Sequence, residues 1–332
     1  MKKNVLIIGG SGQFGITLAK KLNNYKNVII TTRNISKTSK KIGNSKNIKV
    51  KKLNILSKIE ISKIISNYKP AMIFYFAGQS SPKISFLKRN ETISSNFIGC
   101  KNFLETIYDN KLKTKFLNAS SSEIFMPSKF KLNLNSKKEP ISPYGIAKLK
   151  SFNITKNYKI YKNLKTYNAI IFNTESTFRE KNYIIPKICI AAIKAKKEQT
   201  KTSFGDLNVI REWNWCDEQC DYMLKFISKE PQDFILSNNK PFSAKQMLDF
   251  AFKYFNLDFR KFVKTSKLNF RKKDFKVRLS NNKNIFKKNN IKFNYKIYGQ
   301  KLIIKLLEYY LKKDFLKKKP KNNNIKIPKI GK

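Results

Sequence analysis

The stretch NVLIIGGSGQFGITLAKKL, residues 4–22, constrains the fold more than any other part of the chain. An apolar run of strand length leads straight into glycines at 9, 12 and 15, spaced GxxGxxG, and a helical pattern follows. Only glycine tolerates such a turn and lets a pyrophosphate approach the backbone. The helix behind it directs its N-terminal amides and dipole at the same anion. Strand, glycine turn and helix in this order predict a dinucleotide-binding unit at the start of a parallel sheet.

The second predicted strand, NVIITT, ends in Thr31, Thr32 and Arg33. An acidic residue at that position would bind a ribose 2′-hydroxyl; a cation leaves room for a 2′-phosphate, so NADP is the expected cofactor. Further strands are predicted in IKVKKLNIL, AMIFYFAG, KTKFLNAS and YNAIIFN, with helices KIEISKIISNY and SSNFIGCKNFLETIYDN between them. That alternation predicts an α/β protein with a Rossmann-type doubly wound parallel sheet over residues 1–172. From 173 to 315 helices mix with short strands, as expected of a smaller, mixed C-terminal substrate-binding part with some segments returning to the sheet. Residues 316–332, KKKPKNNNIKIPKIGK with the preceding leucine, read as a disordered basic tail.

The net charge of +50, from 71 Lys and Arg against 21 Asp and Glu, raises the possibility of a polyanion partner. The lysines are dispersed through nearly every segment, however, whereas a nucleic-acid groove gathers basic and aromatic residues on one element. No nucleic-acid partner is expected. Four cysteines form no CxxC pair and the chain has no histidine, so no metal site is expected either. MKKNVLIIGG is too short for a signal sequence, and no run of residues reaches the length of a membrane span. A cytoplasmic protein without a membrane partner is the expectation.

SPYGIAK places Tyr144 and Lys148 four residues apart, on one face of a helix, where the ammonium is expected to lower the phenol from its ordinary value of about 10. Such a tyrosine can take a proton from a sugar hydroxyl. About twenty residues earlier stands NASSSEIF. Ser120 and Glu123 have the spacing of a helix-capping box, but a position at a strand end upstream of YGIAK favours Glu123 as a reacting base.

GGSGQFG, FAGQSSPKISF, ASSSEIF, SPYGIAKL, IIFNTESTFRE, FGDLNVIREWNW, PQDFILSNNKPFSAKQMLDFAFKYFNLD and LNFRKKD, in that order, resemble the GDP-mannose 4,6-dehydratases, within the extended short-chain dehydrogenase/reductases. The resemblance implies that Gly9, Gly12, Gln13 and Gly15 surround the pyrophosphate, Arg33 the 2′-phosphate, Asn54 and Ile55 the adenine, and Ala77, Gly78 and Gln79 the middle of the cofactor. It implies a catalytic set of Ser121, at a position usually held by Thr, with Glu123, Tyr144 and Lys148. Tyr144, Lys148, Thr174 and Arg179 would also meet the cofactor, and Ser81, Asn173, Lys187, Arg211 and Arg271 the nucleotide sugar. The implied reaction converts GDP-mannose to GDP-4-keto-6-deoxy-mannose, in a homodimer or homotetramer. Another sugar-nucleotide dehydratase, epimerase or reductase, or a non-catalytic NADP-binding scaffold, are the alternatives.

Overall fold

The structure, a computed structural model, describes residues 3–24, 27–266 and 275–317. The first half alternates strand and helix: β1 Asn4–Ile8, α1 Gln13–Leu22, β2 Asn27–Thr32, α2 Ile35–Ile42, β3 Ile48–Lys52, α3 Lys58–Tyr68, β4 Met72–Tyr75. Three short helical pieces follow, α4 Pro82–Leu87, α5 Arg89–Ile93 and a π-turn at Ser94–Ile98, before α6 Gly99–Asp109, β5 Lys115–Ser121, α7 Pro143–Lys162 and β6 Thr166–Ile171. The second half contains β7 Thr174–Glu175, α8 Ile184–Glu198, β8 Thr202–Phe204, β9 Ile210–Arg211, β10 Asn214–Trp215, α9 Cys216–Ile227 and β11 Asp233–Leu236. It continues with β12 Phe242–Ser243, α10 Ala244–Lys253, β13 Val263–Thr265, β14 Val277–Arg278, α11 Lys283–Lys288 and α12 Gly299–Lys317.

Seven strands form one sheet in the order β11-β6-β5-β4-β1-β2-β3, and every pairing in it is parallel. A parallel sheet covered on both faces needs apolar side chains on both, which explains the unbroken run Val5–Ile8 in β1. Val5 and Ile7 pack with α1 and α9 on one face; Leu6 and Ile8 pack with α3 and α6 on the other. The strand order reverses between β1 and β4, and at such a switch point the loops after the strands part to leave a crevice.

β11 adds to the edge of this sheet beside β6, although it lies well beyond residue 172. Around α8, α10 and α12 a separate apolar cluster forms, with Trp213, Trp215 and Leu302 among its buried members. Only short strands accompany it: β7 pairs with β10, β8 with β13, and β9 with both β12 and β14. α12 carries helical backbone to Lys317, two residues into the stretch read as a tail; residues 318–332 lie outside the described residues. Among the described residues no helix is long and apolar enough to cross a membrane.

Candidate active site

A cleft of about 710 Å³ opens at the switch point, between the loops that leave the parallel sheet and the segment around α8. Its floor is the glycine turn. Gly9 holds φ +84°, and a Cβ there would lie 2.6 Å from the backbone nitrogen of Ala77, so no other residue fits between β1 and the end of β4. Beside Gly12, by contrast, the position of a Cβ is open except for the Gly9 carbonyl at 3.5 Å. Gly12 caps α1 without a side-chain acceptor, and no carboxylate stands in the first turn. This is an uncapped helix start with free amides and the positive end of the dipole toward the cleft, of the kind that suits a pyrophosphate, so the residues present fit a dinucleotide.

Tyr144 and Lys148 project into the cleft from the first turns of α7, which Pro143 opens and the Ser142 hydroxyl caps by accepting from Gly145 N–H. A Cβ on Gly145 would come within 2.5 Å of the Glu123 carbonyl, so the missing side chain lets α7 press against the end of β5. The expected effect of Lys148 on the phenol is not found. Burial pushes Tyr144 up to about 12, with Ser121 pulling down and the Glu123 charge pushing up. The Lys148 ammonium instead donates to the Ala119 carbonyl at 2.7 Å, stands 5.9 Å from the Tyr144 ring centroid, and is itself lowered to about 8 by burial. Desolvation by burial is the largest influence on each of the two groups.

The serine run ends β5 and turns through one 3-10 turn, Ser122–Ile124. Ser121 is the residue that caps it, accepting from Glu123 N–H at 3.2 Å; Ser120, which has capping-box spacing, is buried with no hydrogen-bond partner among the described residues. The chain's exit from a parallel strand sets the cap here, so the box reading fails by one residue. Glu123 lines the cleft and its Oε1 lies 2.7 Å from Nη1 of Arg278, a residue the sequence did not single out.

Across the cleft, Gln13 spans the two sides: its amide donates to the Thr174 carbonyl at 3.2 Å and accepts from the Ser176 hydroxyl at 2.9 Å. Thr174 places its hydroxyl 2.6 Å from Gln219 Oε1. Asn173 and Arg179 line the cleft, with the Arg179 guanidinium stacked 3.5 Å from the Tyr183 ring centroid and 4.0 Å from the Glu175 carboxylate. Burial raises that carboxyl to about 7, against the pull of Arg179. Lys187 donates to the Ser203 carbonyl at 2.6 Å and is lowered by partial burial. Arg211 lines the cleft while its guanidinium donates to the carbonyls of Ile210, Lys276 and Phe275.

Gly12, Gln13, Gly15, Gly78, Gln79, Ser81, Ser121, Glu123, Tyr144, Lys148, Asn173, Thr174, Arg179, Lys187 and Arg211 thus share one cleft. Gly9 and Ala77 form its backing. Arg33 does not line it: its side chain is 89% exposed and sits 3.6 Å from Glu91. Asn54 and Ile55 also fall outside the cleft wall, with the Asn54 side chain accepting from Leu56 N–H and the Ile55 carbonyl accepting from Asn102. Arg271 lies outside the described residues. Lys41 and Asn96 are among the cleft residues that the sequence reading passed over. Lys41 reaches the cleft from α2 and donates to the Ser11 carbonyl, and Asn96, on the π-turn, braces the Gly78–Gln79 loop by donating to the Gln79 carbonyl. In a chain with 71 basic residues nothing in the sequence marks Lys41, and a π-turn has no periodic signature.

Residues 6–302 match the family described as GDP-mannose 4,6 dehydratase. Among curated proteins, GDP-mannose 4,6 dehydratase 2 of Caenorhabditis elegans is 29% identical over 197 residues, 57% of this chain and 51% of that protein. GDP-mannose 4,6 dehydratase of Cricetulus griseus is 32% identical over 199 residues, 57% of this chain and 52% of that protein. The matched stretch thus spans about half the length of these curated relatives. In three dimensions, a UDP-glucose 4-epimerase from Thermotoga maritima solved with UDP-glucose superposes with a TM-score of 0.82 at 20% identity, covering 93% of this chain and 99% of the other. A dTDP-glucose 4,6-dehydratase from Streptomyces venezuelae solved with NAD bound gives 0.83 at 14% identity, covering 94% and 98%. At these identities the likeness establishes the fold.

Proposed function

The chain belongs to the GDP-mannose 4,6-dehydratase family, and from that premise we propose that it is a sugar-nucleotide 4,6-dehydratase acting on GDP-mannose with NADP. The observation that carries the reading is the convergence of Ser121, Glu123, Tyr144 and Lys148 on one cleft at the switch point of the sheet. Gly12, the first amides of α1, Gly78 and Gln79 would hold the dinucleotide. When bound, its nicotinamide supplies a place to park a hydride taken from one sugar carbon and returned to another.

The chain's own groups handle protons. Tyr144, with Ser121 beside it, takes the proton of the sugar C4 hydroxyl, and Lys148 anchors that end of the cleft through Ala119. The C4 ketone acidifies the C5 hydrogen. Glu123 removes that proton and then gives it to the C6 hydroxyl: the C5–H electron pair becomes the C5=C6 bond while C6–O breaks and water leaves. A carboxylate at this place separates a dehydratase from an epimerase or reductase of the same fold. On the far wall Asn173, Arg179, Lys187 and Arg211 supply the polar and cationic lining that a nucleoside diphosphate needs.

The preference for NADP rests on Arg33 at the end of β2, which is exposed and would have to leave Glu91 to meet a 2′-phosphate. Residues 1–172 act as the cofactor domain in this reading and residues 173–315 mainly hold the sugar nucleotide. A homodimer or homotetramer in the cytoplasm completes it, with the four buried, free thiols in keeping with a reducing compartment. Incubation with GDP-mannose and NADP+ tests the proposal by NMR: a 4-keto-6-deoxy sugar is expected, and unchanged substrate overturns it.

A further inference from the structure

Glu123 is held from behind. Arg278 does not line the cleft; it is 5% exposed, on the two-residue strand β14, and meets the carboxylate from the outer side of the cleft wall. The contact is an ion pair, Nη1 to Oε1 at 2.7 Å, without the alignment of a hydrogen bond. The guanidinium is itself constrained. Its carbon stands 5.5 Å from the Phe275 ring centroid, and β14 is paired in parallel with β9.

The backbone around Arg278 is fixed to the segment that follows Glu123. Leu132 N–H donates to the Leu279 carbonyl at 2.8 Å, and Asn281 N–H donates to the Leu132 carbonyl at 2.7 Å. Glu212, buried next to Arg211, accepts from Ser280 N–H and from the hydroxyls of Ser280 and Ser237. Residues 275–281 are therefore tied on both sides, and a guanidinium brought to a carboxylate by so many backbone and side-chain bonds has little freedom to leave. A solvent-exposed ion pair of two long side chains would lack that preorganisation.

We propose that Arg278 is a positioning residue for Glu123: its guanidinium holds the carboxylate as an ion pair from outside the cleft and so keeps it turned to the C5 hydrogen and, after transfer, to the C6 hydroxyl. This deepens the dehydratase reading and rests on it. Arg278 touches neither substrate nor cofactor; its effect falls on the steps that use Glu123 and spares the oxidation at C4, which uses Tyr144.

Arg278→Met keeps length and removes charge, and Arg278→Lys keeps charge. With GDP-mannose, Arg278→Met is expected to lose about tenfold or more in kcat with KM within about twofold. Solvent deuterium uptake at C5 should fall by the same factor, single-turnover oxidation at C4 should be unchanged, and Arg278→Lys should recover most of the loss. Without any ligand, melting of Glu123→Gln, Arg278→Met and the double variant should show the two sites coupled. Wild-type C5 exchange in Arg278→Met, or additive melting shifts, overturns the positioning role while leaving the dehydratase reading intact. Loss of C4 oxidation to the same extent as C5 exchange, or an Arg278→Lys no better than Arg278→Met, also overturns it. A wild type that converts no nucleotide sugar overturns the reading itself, and the role with it, even if the melting cycle shows coupling.

Discussion

The two walls of the cleft are built by different means. On the sheet side, close backbone packing positions the chemistry: Gly9 is wedged against Ala77, Gly145 lets α7 press on the Glu123 carbonyl, and Tyr144 and Lys148 are buried. On the far side the strands are only two or three residues long, and polar side chains tie the wall together through backbone carbonyls, as Lys187 does to Ser203 and Arg211 to Phe275 and Lys276. Where packing sets the wall, at Gly9 and Gly145, it tolerates no added atom. A wall set by hydrogen bonds and charges can lose a partner and adjust, but it answers to pH.

The sharpest break of that contrast is Tyr144→Phe, which removes one oxygen from the packed wall and no buried methylene. Turnover should fall by about 10²–10⁴-fold with the melting temperature kept, measured by product formation and calorimetry. A large drop in stability instead would mean that the phenol is a structural group. Gly9→Ala should cost about 1–3 kcal/mol in denaturant unfolding and abolish cofactor-induced stabilisation, because the positive φ and the Ala77 backbone both oppose a methyl group. Unchanged NADP+ binding in this variant would count against the packed wall.

The last effect belongs to the far wall and depends on pH. Glu175 is 2% exposed and its carboxyl is raised by burial to about 7, against an ordinary value of 4.5. The folded chain therefore holds this proton more tightly than the unfolded one. Its contribution to stability is complete below pH 4.5, falls as pH rises, and is lost once pH passes 7. Glu175→Gln should match wild type near pH 4.5 and be more stable above pH 7, by about 3 kcal/mol. Equal stability at pH 8, read from denaturant midpoints, would show that the carboxylate ionises without cost there.

Much of the sheet could be read directly. Val5–Ile8 is a fully apolar run because both faces of a central parallel strand are covered, and the glycine turn behind it names its own ligand class. β11 shows where such reading stops. Asp233–Leu236 is four residues long, and nothing local states that it returns to pair with β6, more than sixty positions earlier. The serine run was legible to within one position, since Ser121 and Ser120 differ only in which way the strand presents them.

The sequence by itself determined the dinucleotide turn, the order of strands and helices as far as β6, and the presence of Glu123 near YxxxK, because each is a local pattern of side-chain size and period. Tertiary structure decided the rest of the site. It brought Arg278 to Glu123 across more than one hundred and fifty residues, put Lys41 and Asn96 on the cleft, left Arg33 outside it, and buried Tyr144 deeply enough that desolvation raises its phenol. Pairing across such distances and the loss of solvent depend on which surfaces meet. Neither is a property of any local stretch of chain.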